Sequence, residues 1–206
     1  MNQLFRPGLQ LIRQHFATYV IINVAFYGLV VLGAVYAFVD PRAQQSLTQS
    51  ILQSFNSGPM SVAREAYLSG NVASAALVTF LVNTFLGSAL ALTVPSMVIP
   101  FAGTFIGLFR ALLWGVALAP SSPELARAMV PHSLVLLLEG QGYILAMLGV
   151  HVLWTSAFGN IERGLQGFAR GYLAGLRRNV SIYLLVAVIL AISAVYEAFE
   201  VIYLVR

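Results

Sequence analysis

The 206-residue chain is 59% hydrophobic and only 9% charged, against about 25% charged in an ordinary soluble domain, so its composition belongs to a bilayer. The net charge of +4 comes from 11 arginines scattered without a basic run or interleaved aromatics, which argues against a nucleic-acid partner. Cysteine is absent, which excludes disulfides, thiolate catalysis and Cys-ligated metal or iron–sulfur centres.

In chain order, residues 1–15 form a polar lead with Arg6 and Arg13. Residues 16–39 are uncharged and long enough to span, since about 20 apolar residues cross a core of about 30 Å. They predict a first transmembrane helix rather than a signal peptide, whose apolar core would be shorter and followed by a small-residue cleavage site. Asp40-Pro41 ends it, because proline lacks the amide donor and biases its predecessor away from helix. From 41 to 56, glutamines and serines alternate with Leu47, Ile51, Leu52 and Phe55, a spacing that predicts an amphipathic helix on the membrane surface. Ser57-Gly58-Pro59 breaks it, and a second short helix follows over residues 60–69. These two helices are open to reading as connectors or as a docking element.

Residues 66–109 carry no formal charge, enough for two crossings joined at Pro95 and Pro100. The spans are expected at 72–94 and 97–119. Thr79, Asn83 and Gly87 form one small or hydrogen-bonding stripe, and Gly103 and Gly107 another, suited to close helix approach within the chain or between copies. A polar loop over 120–131 precedes a fourth span at 132–156. Next, Ile161, Leu165, Phe168, Tyr172 and Leu176 recur at helical spacing with Arg163, Arg170, Arg177 and Arg178 off the stripe. That pattern predicts an amphipathic interfacial helix over about 158–178 whose basic face meets anionic headgroups. Gly167, Gly171 and Gly175 repeat every four residues there as a smooth ridge. The fifth span is expected at 180–201.

The expected fold is therefore all-α: one polytopic bundle of about five transmembrane helices with amphipathic interfacial helices. Arginines concentrate in the lead and in the segment before the fifth span, which places that side in the cytoplasm. The N-terminus is then expected in the cytoplasm and the C-terminus outside, in an integral protein of a cell membrane.

Ionisable groups inside a span are costly and mark functional hypotheses. Arg110 and Glu139 fall in the outer half, a few ångströms and roughly 7 Å from the midplane at about 1.5 Å per residue, so a pair between neighbouring helices is expected. Asn83, His132 and Glu197 complete the intramembrane polar cluster. The cluster reads either as an ion pair fixing helix register or as a polar cavity open to the outside. Catalytic templates are missing: His-Glu-x-x-His, Gly-x-Ser-x-Gly and a phosphate loop do not occur. His132 and His151 lie roughly 28 Å apart along one helix and cannot share a metal. No enzyme, metal or cofactor is expected.

The run FLVNTFLGSALALTVPSMVIPFAGTFIGLFRALLWG from Phe80, followed by VPHSLVLLLEGQGYILAMLG from Val130, resembles the membrane family of stage II sporulation protein M. The resemblance carries the family's asparagine onto Asn83 and its Pro-His onto Pro131 and His132. Ser133 departs from the family's glycine, Leu136 stands at its glutamate position with Glu139 three residues on, and Arg110-Ala111 replaces an Asn-Gly. What the resemblance implies is a non-catalytic scaffold or assembly component with membrane or cell-envelope protein partners. A small transporter or channel with an outward polar cavity is the alternative, and self-association is left open.

Overall fold

The computed structural model describes residues 2–56 and 58–204, in which every regular element is helical. Ser57, part of the expected Ser57-Gly58-Pro59 break, lies outside the described residues. Helix α1 spans Asn2–Gln14 and α2 Phe16–Val39; α3 covers Pro41–Ser54, α4 Pro59–Leu68 and α5 Val72–Leu81. A π-helical stretch, Val82–Thr93, continues α5 into α6, Val94–Val98. Then come α7, Ala102–Ala117; α8, Pro123–Phe158; a 3-10 turn, Ile161–Arg163; and α9, Gly164–Tyr203.

Local chemistry accounts for the helix starts. Asp40 ends α2 and caps α3, its carboxylate accepting from the amides of Arg42 at 3.1 Å and Ala43 at 3.4 Å. Proline is tolerated at position one because its missing donor would be an orphan there, so Pro41 follows Asp40. Ser122 and Pro123 repeat the device for α8, with Ser122 Oγ accepting from Leu125 N at 3.2 Å. Asn71 caps α5 through Ser74 N at 3.1 Å.

Among the described residues, three stretches are long and apolar enough to cross a membrane: Phe16–Val39, Val72–Val98 and Pro123–Tyr203. The third contains two helices, α8 and α9, folded back on each other at the 3-10 turn. Helix α7 is apolar but only 16 residues long, shorter than the expected span at 97–119. The difference arises because the helix before it runs on through Pro95 to Val98, leaving Ile99–Phe101 as the turn. Phe101 takes a left-handed backbone conformation, φ 60°, to make that turn.

Two further expectations are corrected. From Pro123 on, the loop expected over 120–131 is instead the first part of α8, which continues through Pro131. The interfacial helix over 158–178 and the fifth span at 180–201 form one continuous helix of 40 residues. The reason is packing. A Cβ at Gly171 or Gly175 would press on the Ser156 or Leu153 carbonyl of α8, so the bare glycine ridge lets the two backbones meet along this segment. Of the expected apolar stripe, Phe168, Tyr172 and Leu176 pack on the Trp154 cluster, while Ile161 and Leu165 are exposed.

Helix α8 forms the centre: Gly142 to Val150 is buried on every face, as expected of a helix surrounded by others. Around it lie α2, the π stretch, α7 and α9. Helix α2 crosses α7 backbone to backbone, where a Cβ at Gly33 would strike the Leu112 carbonyl and one at Gly115 the Val30 carbonyl. The outer faces are apolar, with Val24 69%, Phe105 72% and Val98 80% exposed, a surface suited to lipid. On α3, the buried side chain among the described residues is Gln44. Its amide donates to the Ala119 carbonyl at 2.8 Å, satisfying the C-terminal end of α7.

Contacts sort the helix ends into two groups. At one, His15 meets His151 edge-on, Trp154 donates to the Ser96 carbonyl and Tyr172 to the Met97 carbonyl. At the other, Gln44 meets Ala119 and His132 meets Glu200. Five segments therefore run alternately between the two ends: α2, α5 to α6, α7, α8 and α9.

Candidate functional site

The expected polar side chains come from four of those segments. Asn83 sits at the start of the π stretch, Arg110 on α7, His132 and Glu139 on α8, and Glu197 on α9. All five line one cavity of about 260 Å³. Its other walls include Ile51, Phe55 and Tyr67 of α3 and α4, and Trp114, Leu118 and Leu136 of the bundle. The cavity lies toward the end where α3 and α4 sit.

The expected direct pair between Arg110 and Glu139 is not formed; among the described residues the ion pairs are Arg127–Glu124 and His132–Glu200. Two side chains stand between the charges. Arg110 Nη2 donates to Tyr143 Oη at 3.1 Å, Tyr143 donates to Asn83 Oδ1 at 3.0 Å, and Asn83 Nδ2 donates to Glu139 Oε1. Counting residues along each helix sets two charges at similar height, but it does not set their direction around the helices. The Arg110 guanidinium lies over the Tyr143 ring, 4.3 Å to its centroid, and 5.3 Å from that of Trp114, a cation–π setting. Gly87 makes room for this arrangement, since a Cβ there would lie 2.8 Å from Tyr143 Oη and 3.1 Å from Arg110 Nη1.

Glu139 and Glu197 line the same cavity from α8 and α9. Glu197 Oε2 is buried with no hydrogen-bond partner among the described groups. Beside them, His132 Nδ1 lies 3.2 Å from Glu200 Oε2, and Glu200 is fully buried. Tyr67 of α4 bonds Thr79 Oγ1 at 2.8 Å and lines the cavity together with Glu197. The arrangement thus holds three carboxyl groups against one guanidinium and one imidazole, which suits a positively charged or proton-donating guest.

Sequence reading missed Glu200, Tyr143 and Tyr67 as members of this cluster. A signal existed for two of them. Tyr143 follows Glu139 by one helical turn, and Glu200 follows Glu197 by three residues, so each shares a face with its neighbour. A second polar network was also missed, in which Gln141 of α8 accepts from Tyr19 at 2.6 Å and donates to Asn23 Oδ1 at 2.7 Å.

The basic residues Arg163, Arg170, Arg177 and Arg178 are exposed at the opposite end, where Arg178 donates to Ser156 Oγ at 3.3 Å. His151 lies there too, far from His132 and 3.5 Å from Thr18 Oγ1. No cluster of three metal-ligating side chains occurs among the described residues. Thr79 and Gly87 face the cavity region, while Gly103 and Gly107 pack inside the chain against Leu92 and Met147. Compared with protein-family models, curated proteins and solved structures, the chain matches none.

Proposed function

We propose that this chain is a non-enzymatic integral membrane protein of five crossings, N-terminus cytoplasmic, that takes a small cationic or zwitterionic solute into the cavity from the outer side. One observation carries the reading. Arg110, Asn83, Glu139, Glu197 and His132 converge on one cavity, and Glu197 Oε2 is buried there without a partner among the described groups, whereas a purely structural set would be expected to close in pairs. Charged groups in a span are costly by about 2.5–3.5 kcal/mol each on insertion scales, and a guest able to bond the carboxyls would offset part of that. The short α7 fits a crossing if the turn at Ile99–Phe101 and the residues after Ala117 reach the interfaces.

A second reading, a scaffold in a cell-envelope complex, follows from the resemblance to the sporulation protein M family. It is favoured by α3 and α4, which cover the cavity while leaving Gln45, Gln49, Leu52 and Val62 exposed. Reconstitution separates the two. The solute reading expects proteoliposomes to take up small ammonium-bearing solutes, and Glu139→Gln with Glu197→Gln to abolish that flux while the protein stays folded. A stoichiometric partner retained on purification, together with full function of the Glu139→Gln, Glu197→Gln protein, would replace it with the scaffold reading.

A further inference from the structure

A second cavity, larger than the first, lies on the other side of the molecule between α1 and α9. It measures about 690 Å³ and is lined by Phe5, Arg6, Leu9, Gln10 and Arg13 from α1 and by Leu185, Val188 and Ile189 from α9. Seven residues separate Arg6 from Arg13, nearly two whole helical turns, so both arginines lie on one face about 10.5 Å apart along the axis. Leu9 and Gln10 lie between them on that face. The opposing wall on α9 is entirely aliphatic. The groove is thus basic along one side and oily along the other.

Two further facts bear on what fills it. Neither Arg6 nor Arg13 makes an ion pair among the described residues, and both are exposed. Helix α1 is also held in place rather than loosely tethered: Gly8 seats it on α9, where a Cβ would lie 2.8 Å from the Ser181 carbonyl oxygen and 3.0 Å from Leu185 Cδ1. Helix α1 leads into His15, which meets His151 at the end of the bundle that carries Arg177 and Arg178 of α9. In the proposed orientation this is the cytoplasmic interface, where anionic headgroups concentrate.

We propose that this groove binds an anionic phospholipid, its phosphate held by Arg6 and Arg13 and an acyl chain lying along Leu185, Val188 and Ile189. A guanidinium matches phosphate geometry through its fork of donors, and two on one face fix the headgroup at both ends. The aliphatic wall accounts for the half of the groove that a free anion would leave empty. The inference needs the chain to sit in a bilayer but is independent of any solute in the acidic cavity.

The test is thermal unfolding of the full-length protein in mild detergent with added phosphatidylglycerol, phosphatidylcholine or inorganic phosphate. Phosphatidylglycerol is expected to raise the midpoint more than phosphatidylcholine does, and inorganic phosphate to leave it unchanged. Arg6→Gln with Arg13→Gln should remove that extra rise and weaken the lipid's apparent affinity at least tenfold. Arg170→Gln with Arg177→Gln should keep most of it. Equal effects of the two lipids, an undiminished rise in the Arg6, Arg13 variant, or a rise reproduced by phosphate alone would overturn the proposal. If the double variant is already destabilised in phosphatidylcholine, Val188→Trp supplies the reading, because it fills the oily wall and leaves both arginines. Loss of the extra rise in Val188→Trp supports the groove, and its retention overturns it.

Discussion

Asn83 is the residue on which the acidic cavity turns. Its amide donates to Glu139 and accepts from Tyr143, which in turn accepts from Arg110. Replacing it with leucine leaves a carboxylate and a phenol unpaired in a buried setting, where an orphaned polar group costs about 1–3 kcal/mol and a charged one more. Asn83→Leu is therefore expected to lower the unfolding midpoint in detergent clearly more than Tyr143→Phe, which removes one hydroxyl from the relay. Equal effects would mean that the asparagine is not the bridge. The relay also changes what a charge-deletion pair should do. Arg110→Leu with Glu139→Leu still strands Asn83 and Tyr143, so the double variant is expected to remain less stable than wild type. Full recovery would restore the direct ion pair anticipated from depth. That pair was legible in the sequence only as a height in the membrane: counting residues places two charges at similar depth, but it does not say which side chains stand between them.

Among elements, the glycines decide how closely helices approach, and they are not equivalent. Gly115 sits where α7 crosses α2, and a Cβ there would strike the Val30 carbonyl. Gly28, on the same α2, is exposed with nothing within 4 Å of a Cβ. Gly115→Val should lower the unfolding midpoint substantially. Gly28→Ala should leave it unchanged or raise it slightly, since alanine is favoured over glycine by up to about 1 kcal/mol in a helix interior. A Gly115 variant as stable as the Gly28 variant would remove the close crossing from the account. Element legibility followed from the same chemistry. Hydropathy and the Asp40-Pro41 boundary located α2, and polar periodicity located α3. The continuous α9 was hidden because its exposed arginines and its glycines read as the marks of a separate surface helix. What holds that segment to α8 is a ridge without side chains, and a ridge of glycines carries no hydropathy. The same happened at α8, where the boundary expected between 131 and 132 falls inside what is one helix.

For the whole molecule, the claim is a bundle whose five segments alternate between two ends, with an acidic cavity near one end and basic groups at the other. The general class was legible from composition, because a chain with so few charges folds into helices apolar enough to cross a membrane. The cavity was not, since it depends on how α4, the π stretch, α7, α8 and α9 are arranged around one another. The absence of cysteine makes the most direct measurement a clean one: single cysteines introduced at Leu118 and Leu136 in the cavity wall, Phe109 on the exposed apolar face of α7, and Arg170 on α9. Each is treated in sealed vesicles with a thiol reagent that cannot cross the membrane. The account predicts that Leu118→Cys and Leu136→Cys react from the outer side, Arg170→Cys only from the cytoplasmic side, and Phe109→Cys from neither. Reaction of the cavity positions from the cytoplasmic side, or their protection from both sides, would contradict it.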